Sequence, residues 1–261
     1  MKLCVPLLLL ALTAPAMAKA QPLGAQRVVT PAGNPSALIA AEIAFARAAR
    51  EKGQWTAFAE TAAEEAEMFA PQRVPAKAWL KGRANPPAAV QWQASAAWIS
   101  CDGSAGVTFG AYQAGADDKA AGGWFSTVWQ RQRKKGDYKW VLDQGGALAA
   151  RLAGADFITG KVADCPPRPR RDPLADEPPP PPPRKPDKTA PPPPPRPLAG
   201  PIPHFAGPAG ADSKDGRAVD GTLAWRSTVL PGGTRLWTVW MWQDGKMVEV
   251  LNRIEIARNE G

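Results

Sequence analysis

The chain has 261 residues, including 30 prolines, 11 tryptophans and one histidine, and carries a formal net charge of +8 at pH 7. His204 alone cannot build a histidine-rich metal centre, and there is no Gly-x-x-x-x-Gly-Lys loop or dinucleotide fingerprint, so we expect no metal and no cofactor. Half of the basic excess beyond the first twenty residues lies in one proline-rich segment, which argues against a nucleic-acid partner.

The first twenty residues have the layout of a secretory signal peptide. Lys2 is followed by an apolar stretch from Leu3 to Leu12 and then by small residues that allow cleavage after Ala18 or Ala20. This stretch has about half of the roughly 20 residues that a membrane-spanning helix needs, so no transmembrane segment is expected; a retained anchor is the alternative. We therefore predict a periplasmic or secreted protein whose residues 21–34 form a disordered N-terminus.

Helical spacing dominates the next part of the chain. Asn34 and Pro35 are a helix N-cap and a first-turn proline, apolar residues follow at intervals of three and four, and Gly53 ends the pattern. The pattern predicts a helix over 35–52, a short helix over 55–62, a strand-like stretch over 66–70 and a short helix over 75–80.

From residue 90 the apolar residues recur with a period of two, which predicts strands. The predicted strands cover residues 90–100, 106–114, 124–133 and 138–144. Helices followed by antiparallel strands indicate an α+β fold and not alternating βαβ units. Trp124 and Trp129 have opposite parity in one strand, so we expect them on opposite faces of the sheet.

Several of these segments together resemble one known family. They are Ala66-Glu67-Met68-Phe69-Ala70-Pro71, Ala78-Trp79-Leu80-Lys81-Gly82, and the strands Gly123–Arg131 and Tyr138–Asp143. Their order is similar to the SnoaL-like branch of the nuclear-transport-factor-two (NTF2-like) and ketosteroid-isomerase fold, over about residues 35–146. The resemblance implies a cone-shaped domain, here residues 35–165, of three N-terminal helices packed on a curved antiparallel sheet with an apolar cavity. Many relatives form homodimers through the sheet.

The resemblance does not supply a full set of catalytic residues. The position that loosely matches the catalytic carboxylate of ketosteroid isomerases is near Ala70, which is apolar. Glu67 and Asp143 are the nearest carboxylates that could face a cavity and act as acid or base; the alternatives are an exposed strand residue and a turn or sheet-edge residue. As ligand-binding residues in the cavity wall we expect Trp92, Phe125, Trp129 and Tyr112, with packing in the core as the alternative.

Two cysteines remain once the signal peptide is removed. Cys101 and Cys165 are an even pair in an oxidising compartment, so we expect a disulfide between them, with two separate thiols as the alternative. Closing a loop of this length is worth roughly 4 kcal/mol in the chain-entropy model.

Proline makes up 19 of the 38 residues from Pro166 to Pro203. Because proline lacks an amide donor and has a fixed φ, we expect residues 166–203 to be a disordered, extended spacer. A loop over 204–221 and a small β-meander over 222–257 are expected to follow, with strands over 222–230, 234–243 and 246–256. Both faces of the strand Thr234–Gln243 are apolar, so we expect this tail to dock on the first domain; the alternatives are that it extends the sheet of that domain, pairs with a second subunit or folds as an independent domain.

The residues favour one function over two others. The favoured function is an exported domain that binds a small apolar ligand or an envelope protein without catalysis. The first alternative is a cofactor-free isomerase, cyclase or hydratase that uses a cavity carboxylate. The second is a structural envelope protein whose polyproline spacer sets a distance and whose interior is filled by its own tryptophans.

Overall fold

A computed structural model of the protein describes residues 33–70, 72–114, 122–148, 157–165 and 199–257. The predicted signal peptide, nearly all of the predicted disordered N-terminus and residues 166–198 of the predicted spacer lie outside the described residues. Within those ranges, no helix combines the length and apolar character needed to span a membrane. The fold is α+β, as predicted.

The helices of the described residues all lie in the N-terminal part of the chain: α1 Pro35–Lys52, α2 Gln54–Thr61 and α3 Ala76–Leu80. The Asn34 side chain caps α1, since its oxygen accepts a hydrogen bond from the Ser36 amide at 3.0 Å. Gly53 separates α1 from α2 with a φ of +100°, a conformation that favours glycine. Leu38 and Phe45 on the buried side of α1 belong to the core between the helices and the first sheet.

The first sheet has seven strands: β1 Ala62–Phe69, β2 Arg73–Pro75, β3 Gln91–Ile99, β4 Ala105–Gln113, β5 Gly122–Arg131, β6 Tyr138–Ala147 and β7 Thr159–Val162. Their order across the sheet is β2-β1-β6-β5-β4-β3-β7. Strands β3 to β6 form an antiparallel meander, but β1 is parallel to β6 and β7 is parallel to β3. The sheet is therefore mixed, which corrects the expectation of a purely antiparallel one. In each of these two parallel pairs the strands are far apart in the chain, because a parallel pair needs a long connection.

Side chains alternate between the two faces of this sheet. Trp129 lies with Ile99 in the core that the helices cover, whereas Trp124 and Val128 lie in a second core on the opposite face. The predicted opposite orientation of Trp124 and Trp129 is confirmed.

The second sheet has four antiparallel strands in sequence order: β8 Asp212–Arg217, β9 Leu223–Val229, β10 Arg235–Gln243 and β11 Lys246–Glu255. Asp244 and Gly245 form the tight turn between β10 and β11, with φ of +49° and +76°. Strand β8 lies inside the segment for which we expected a loop, residues 204–221. It lacks apolar alternation because nearly all its residues are exposed, and pairing with β9 holds it in the sheet.

This second sheet packs on the face of the first sheet that the helices leave free. The second core contains side chains from both sheets: Trp98, Val107, Trp124, Val128, Leu142, Leu223, Trp225, Trp237, Val239, Met241 and Leu251. The Trp237 indole Nε1 also donates a hydrogen bond to the Ser126 hydroxyl at 3.1 Å. On the outer face of β10, Arg226 lies 5.6 Å from the Trp240 ring centre and donates to the Pro203 carbonyl at 2.8 Å, so residues near 203 cover part of that face.

The expected disulfide between Cys101 and Cys165 is present, with the two Cα atoms 5.2 Å apart. It lies where the two sheets meet. The Cys101 amide donates to the Thr222 hydroxyl at 2.9 Å, and the Asp164 amide donates to the Trp242 carbonyl at 2.9 Å. The disulfide therefore joins two segments of the first sheet that both hydrogen-bond to the second.

Candidate functional site

A pocket of about 300 Å³ opens between α1, α2 and the strands β1, β3, β4, β5 and β6. Most of its wall is aromatic, and the Phe and Trp rings are Phe45, Trp55, Phe58, Phe69, Trp92 and Phe125. Four of these rings, Phe45, Trp55, Phe58 and Trp92, contact one another edge to face: the centre of the Phe45 ring is 4.7 Å from that of Phe58 and 5.0 Å from that of Trp92. Mutual packing of these four rings stabilises their part of the wall.

Asp143 on β6 is the carboxyl group that borders this pocket. Its Oδ2 accepts a hydrogen bond from the Thr127 hydroxyl on the neighbouring strand β5, at 2.9 Å. The pKa of Asp143 is raised from 3.8 to about 7, mainly by burial and also by the nearby Glu42, against the opposing effect of the Thr127 hydrogen bond. A carboxyl group with this pKa can donate or accept a proton near neutral pH.

A bulge in β6 directs Asp143 toward the pocket. Trp129 on β5 pairs with Trp140, but the preceding Val128 pairs with Leu142, so Val141 is an extra residue in β6. Trp140 lies in the helix-covered core and Leu142 in the core between the sheets. Because the bulge shifts the alternation by one residue, Asp143 shares the pocket face with Thr127.

Glu42 on α1 is a buried carboxyl group that sequence analysis did not single out. It is 2% exposed and accepts hydrogen bonds from the Trp92 indole at 2.7 Å, the Thr108 hydroxyl at 2.5 Å and the Trp129 indole at 3.1 Å. Burial raises the pKa of Glu42, and these three hydrogen bonds oppose the rise. The available signal was its position four residues after Leu38 on the apolar side of α1. Glu42 fixes Trp92, which is a wall residue of the pocket.

Three of the four expected wall residues border the pocket: Trp92, Phe125 and Tyr112. Trp129 does not; it is 1% exposed, lies in the core beneath Glu42 and donates hydrogen bonds to Glu42 and Thr108. Core packing, the alternative that we left open for each tryptophan, applies to Trp129.

Glu67 is not at the pocket, unlike Asp143. Its carboxylate is an ion-pair partner of Arg73 at 3.4 Å and of Lys214 on β8. Through these two ion pairs Glu67 joins the two sheets, and it does not border the pocket.

Gln144 follows Asp143 and also borders the pocket. Its side chain is buried, and within the described residues its amide oxygen and nitrogen have no hydrogen-bond partner. It pairs with Ser126, whose hydroxyl accepts the Trp237 hydrogen bond, so strand alternation puts the Gln144 side chain on the face toward the second sheet. We therefore do not count it as a ligand-binding group.

Among known proteins, this chain is similar only to solved structures. No protein-family model matches the chain, and no curated protein matches it. A provisionally named ketosteroid isomerase from Parabacteroides distasonis ATCC 8503 superposes with a TM-score of 0.36 and 13% identity, covering 46% of this chain and 98% of that one. An NTF-2 like protein of unknown function from Shewanella oneidensis MR-1 has a TM-score of 0.33 and 10% identity, covering 42% and 96%.

A protein of unknown function with a cystatin-like fold, from Methylobium petroleophilum PM1, has a TM-score of 0.32 and 12% identity, covering 48% of this chain and 85% of that one. The first two names agree with the resemblance predicted from the sequence. At these scores the likenesses say nothing about what this chain binds. Its own geometry defines the class: an α+β protein with a mixed sheet and an aromatic pocket that contains one carboxyl group with a raised pKa.

Proposed function

We propose that the protein binds a small, mainly apolar molecule in the aromatic pocket and that Asp143 hydrogen-bonds the polar group of that molecule. The observation that carries this proposal is a half-buried carboxyl group in a wall built mostly of Phe and Trp rings. The pocket volume, about 300 Å³, is at the lower end of the range for small-molecule sites. A molecule of two or three fused or linked rings is the expected size.

Phenylnaphthylamine, a neutral dye that fluoresces in apolar surroundings, tests the proposal. We expect saturable binding to the wild-type protein. Val90→Trp adds a bulky side chain to the pocket wall and is expected to weaken binding at least about tenfold, or 1.4 kcal/mol. The control Ala114→Trp adds the same side chain at an exposed position after β4 and should leave binding unchanged. Equal affinity of the wild type and Val90→Trp would contradict binding in this pocket.

A second candidate function is cofactor-free proton transfer, as in an isomerase, cyclase or hydratase. The observation that favours it is the pKa of Asp143, about 7, because a group that is half ionised at neutral pH can both take and return a proton. In this second candidate, the domain is a SnoaL-like cone, as the family resemblance implies. Its acid–base group is Asp143 and not Glu67.

Nitrobenzisoxazole, whose ring opens when a base removes one carbon-bound proton, tests this second candidate. The wild type should accelerate ring opening, with a rate that rises with pH and levels off above about 7. Asp143→Asn should abolish the acceleration, whereas Ala114→Trp should keep it. A wild-type rate no faster than that of Asp143→Asn would leave ligand binding without catalysis as the function.

Export completes the proposal. The disulfide supports an oxidising compartment, such as the periplasm or the extracellular space. The Pro-rich segment 166–203 would then act as a spacer in the cell envelope, with an envelope protein as the alternative partner. The mass of the mature protein tests export: cleavage after Ala18 or Ala20 is expected, and a full-length mass in the exported fraction would contradict it.

A further inference from the structure

Arg235, the first residue of β10, brings a positive charge from the second sheet to the wall of the pocket. Its Nη2 donates a hydrogen bond to the Gly145 carbonyl oxygen at 2.7 Å, and its guanidinium carbon lies 4.6 Å from the centre of the Phe69 ring. Both Gly145 and Phe69 border the pocket. The guanidinium therefore lies against two wall residues, although it belongs to a different sheet.

This cation is half-buried and lacks a direct counter-ion within the described residues. Burial lowers the pKa of Arg235, and the negative charges of Glu255 and of ionised Tyr112 would oppose that effect. Glu255 faces Arg235 across the β10–β11 pair, but its Oε1 accepts a hydrogen bond from the Ala147 amide at 3.3 Å. An arginine stays charged in such a place, and buried charges are normally paired.

Arg73 also lies against the Phe69 ring, but its positive charge is paired with carboxylates. Its guanidinium lies 5.1 Å from the Phe69 ring centre, but it pairs with Asp212 at 3.0 Å and Glu67 at 3.4 Å. It also donates to the Ser227 carbonyl at 2.9 Å. Two carboxylates therefore balance the charge of Arg73, whereas Arg235 has a hydrogen bond to a backbone carbonyl.

We infer that Arg235 selects ligands that carry one anionic group on an apolar body, such as an aromatic carboxylate or sulfonate. A guanidinium has five N–H donors, and the Gly145 carbonyl uses one of them, so donors remain for an anion at the rim of the pocket. The second sheet then determines the ligand class, while the first sheet and the helices supply the apolar wall. This inference specifies the ligand of the proposed function and rests on it.

A matched pair of dyes tests the inference, because anilinonaphthalene sulfonate and phenylnaphthylamine share their rings and differ in the sulfonate. The wild type should bind the sulfonate dye about tenfold more tightly than the neutral dye. Arg235→Met should remove this preference and leave the affinity for the neutral dye within about twofold, whereas Arg235→Lys should keep part of it. The control Arg217→Met makes the same change in net charge at an exposed residue of β8, paired with Ala224 at the far end of the sheet, and should alter neither affinity.

The outcomes separate the inference from the proposed function. Binding of both dyes with equal affinity, or an unchanged preference in Arg235→Met, would overturn the role of Arg235 and leave the pocket as a neutral apolar site. Failure of both dyes to bind the wild type would overturn both. If Arg235→Met does not fold, the salt dependence of the wild type decides: added NaCl should weaken the sulfonate dye alone, and an equal response of the two dyes would contradict the inference.

Discussion

Asp143 and Glu42 are two carboxyl groups that burial affects in the same direction but that differ in access. Glu42 is enclosed by Trp92, Thr108 and Trp129, and its hydrogen bonds hold a wall residue in place. Asp143 has one hydroxyl partner and borders the pocket. Glu42 is therefore a positioning residue, and Asp143 is the group that can meet a ligand.

The raised pKa of Asp143 predicts a pH dependence of stability. The pKa is about 7 in the folded protein and 3.8 in the reference state, so the folded protein binds more protons between these values. Its free energy of unfolding should therefore fall as the pH rises from about 4 to about 7, by on the order of 2–4 kcal/mol. Urea unfolding across this range measures the slope. Asp143→Asn should flatten it, although Glu42 contributes a fall of the same sign.

Asp137→Asn, at an exposed position in the turn between β5 and β6, is the matched control and should keep the wild-type slope. Parallel stability curves for the wild type and Asp143→Asn would show that Asp143 ionises in the folded protein as easily as in the unfolded chain.

At the residue scale, the sequence identified Asp143 as a candidate but did not distinguish it from Glu67. Both are acidic residues in predicted strands with apolar neighbours. What separates them is tertiary: Glu67 meets Lys214, which is 147 positions later in the chain, whereas Asp143 meets the aromatic wall. Arg235 was not predicted for the same reason, since its pocket contacts lie in a different sheet.

At the scale of elements, the disulfide is the feature with the clearest energetic effect. It closes a loop with a sequence separation of 64 between Cys101 and Cys165, and it joins the end of β3 to the segment after β7. The double variant Cys101→Ser/Cys165→Ser should lower the free energy of unfolding by about 2–4 kcal/mol. Chemical denaturation with and without reductant measures the effect.

The wild type should become less stable under reductant, by about the same amount, whereas the double variant should not respond. A wild type that does not respond to full reduction would show that strand pairing alone holds this junction.

The strands with an apolar period of two were predictable, and β7 and β8 were not. All four residues of β7 are exposed, and β8 is polar along most of its length, so neither carries the alternation that predicts a strand. Pairing with β3 and β9 makes them strands. The parallel pairing of β1 with β6 could not be predicted either, because the spacing of apolar residues within a strand does not indicate which distant strand pairs with it.

At the scale of the whole molecule, the second sheet occupies one face of the first sheet, the sheet through which many members of the resembling family form homodimers. The helices cover one face of the first sheet and the four-stranded sheet covers the other. A second copy could use either face only by displacing the side chains buried in the corresponding core. We therefore predict a monomer in solution, measured by sedimentation velocity.

A dimer through strand edges is the outcome that would contradict this prediction. Ile254 on β11, an edge strand of the second sheet, is 60% exposed. If a dimer forms, Ile254→Lys separates the two routes: a charge at this edge should dissociate an edge-paired dimer and leave a face-paired dimer intact.

The extra residue at Val141 has a consequence for how this site could be gained or lost. Loss of one codon there would remove the bulge and leave Leu142 opposite Val128 and Asp143 opposite Thr127, so the carboxyl group would stay at the pocket. One codon inserted between Leu142 and Asp143 would instead move Asp143 opposite Ser126, on the face toward the second sheet. The acid–base site would thus survive a deletion at the bulge but not an insertion just after it.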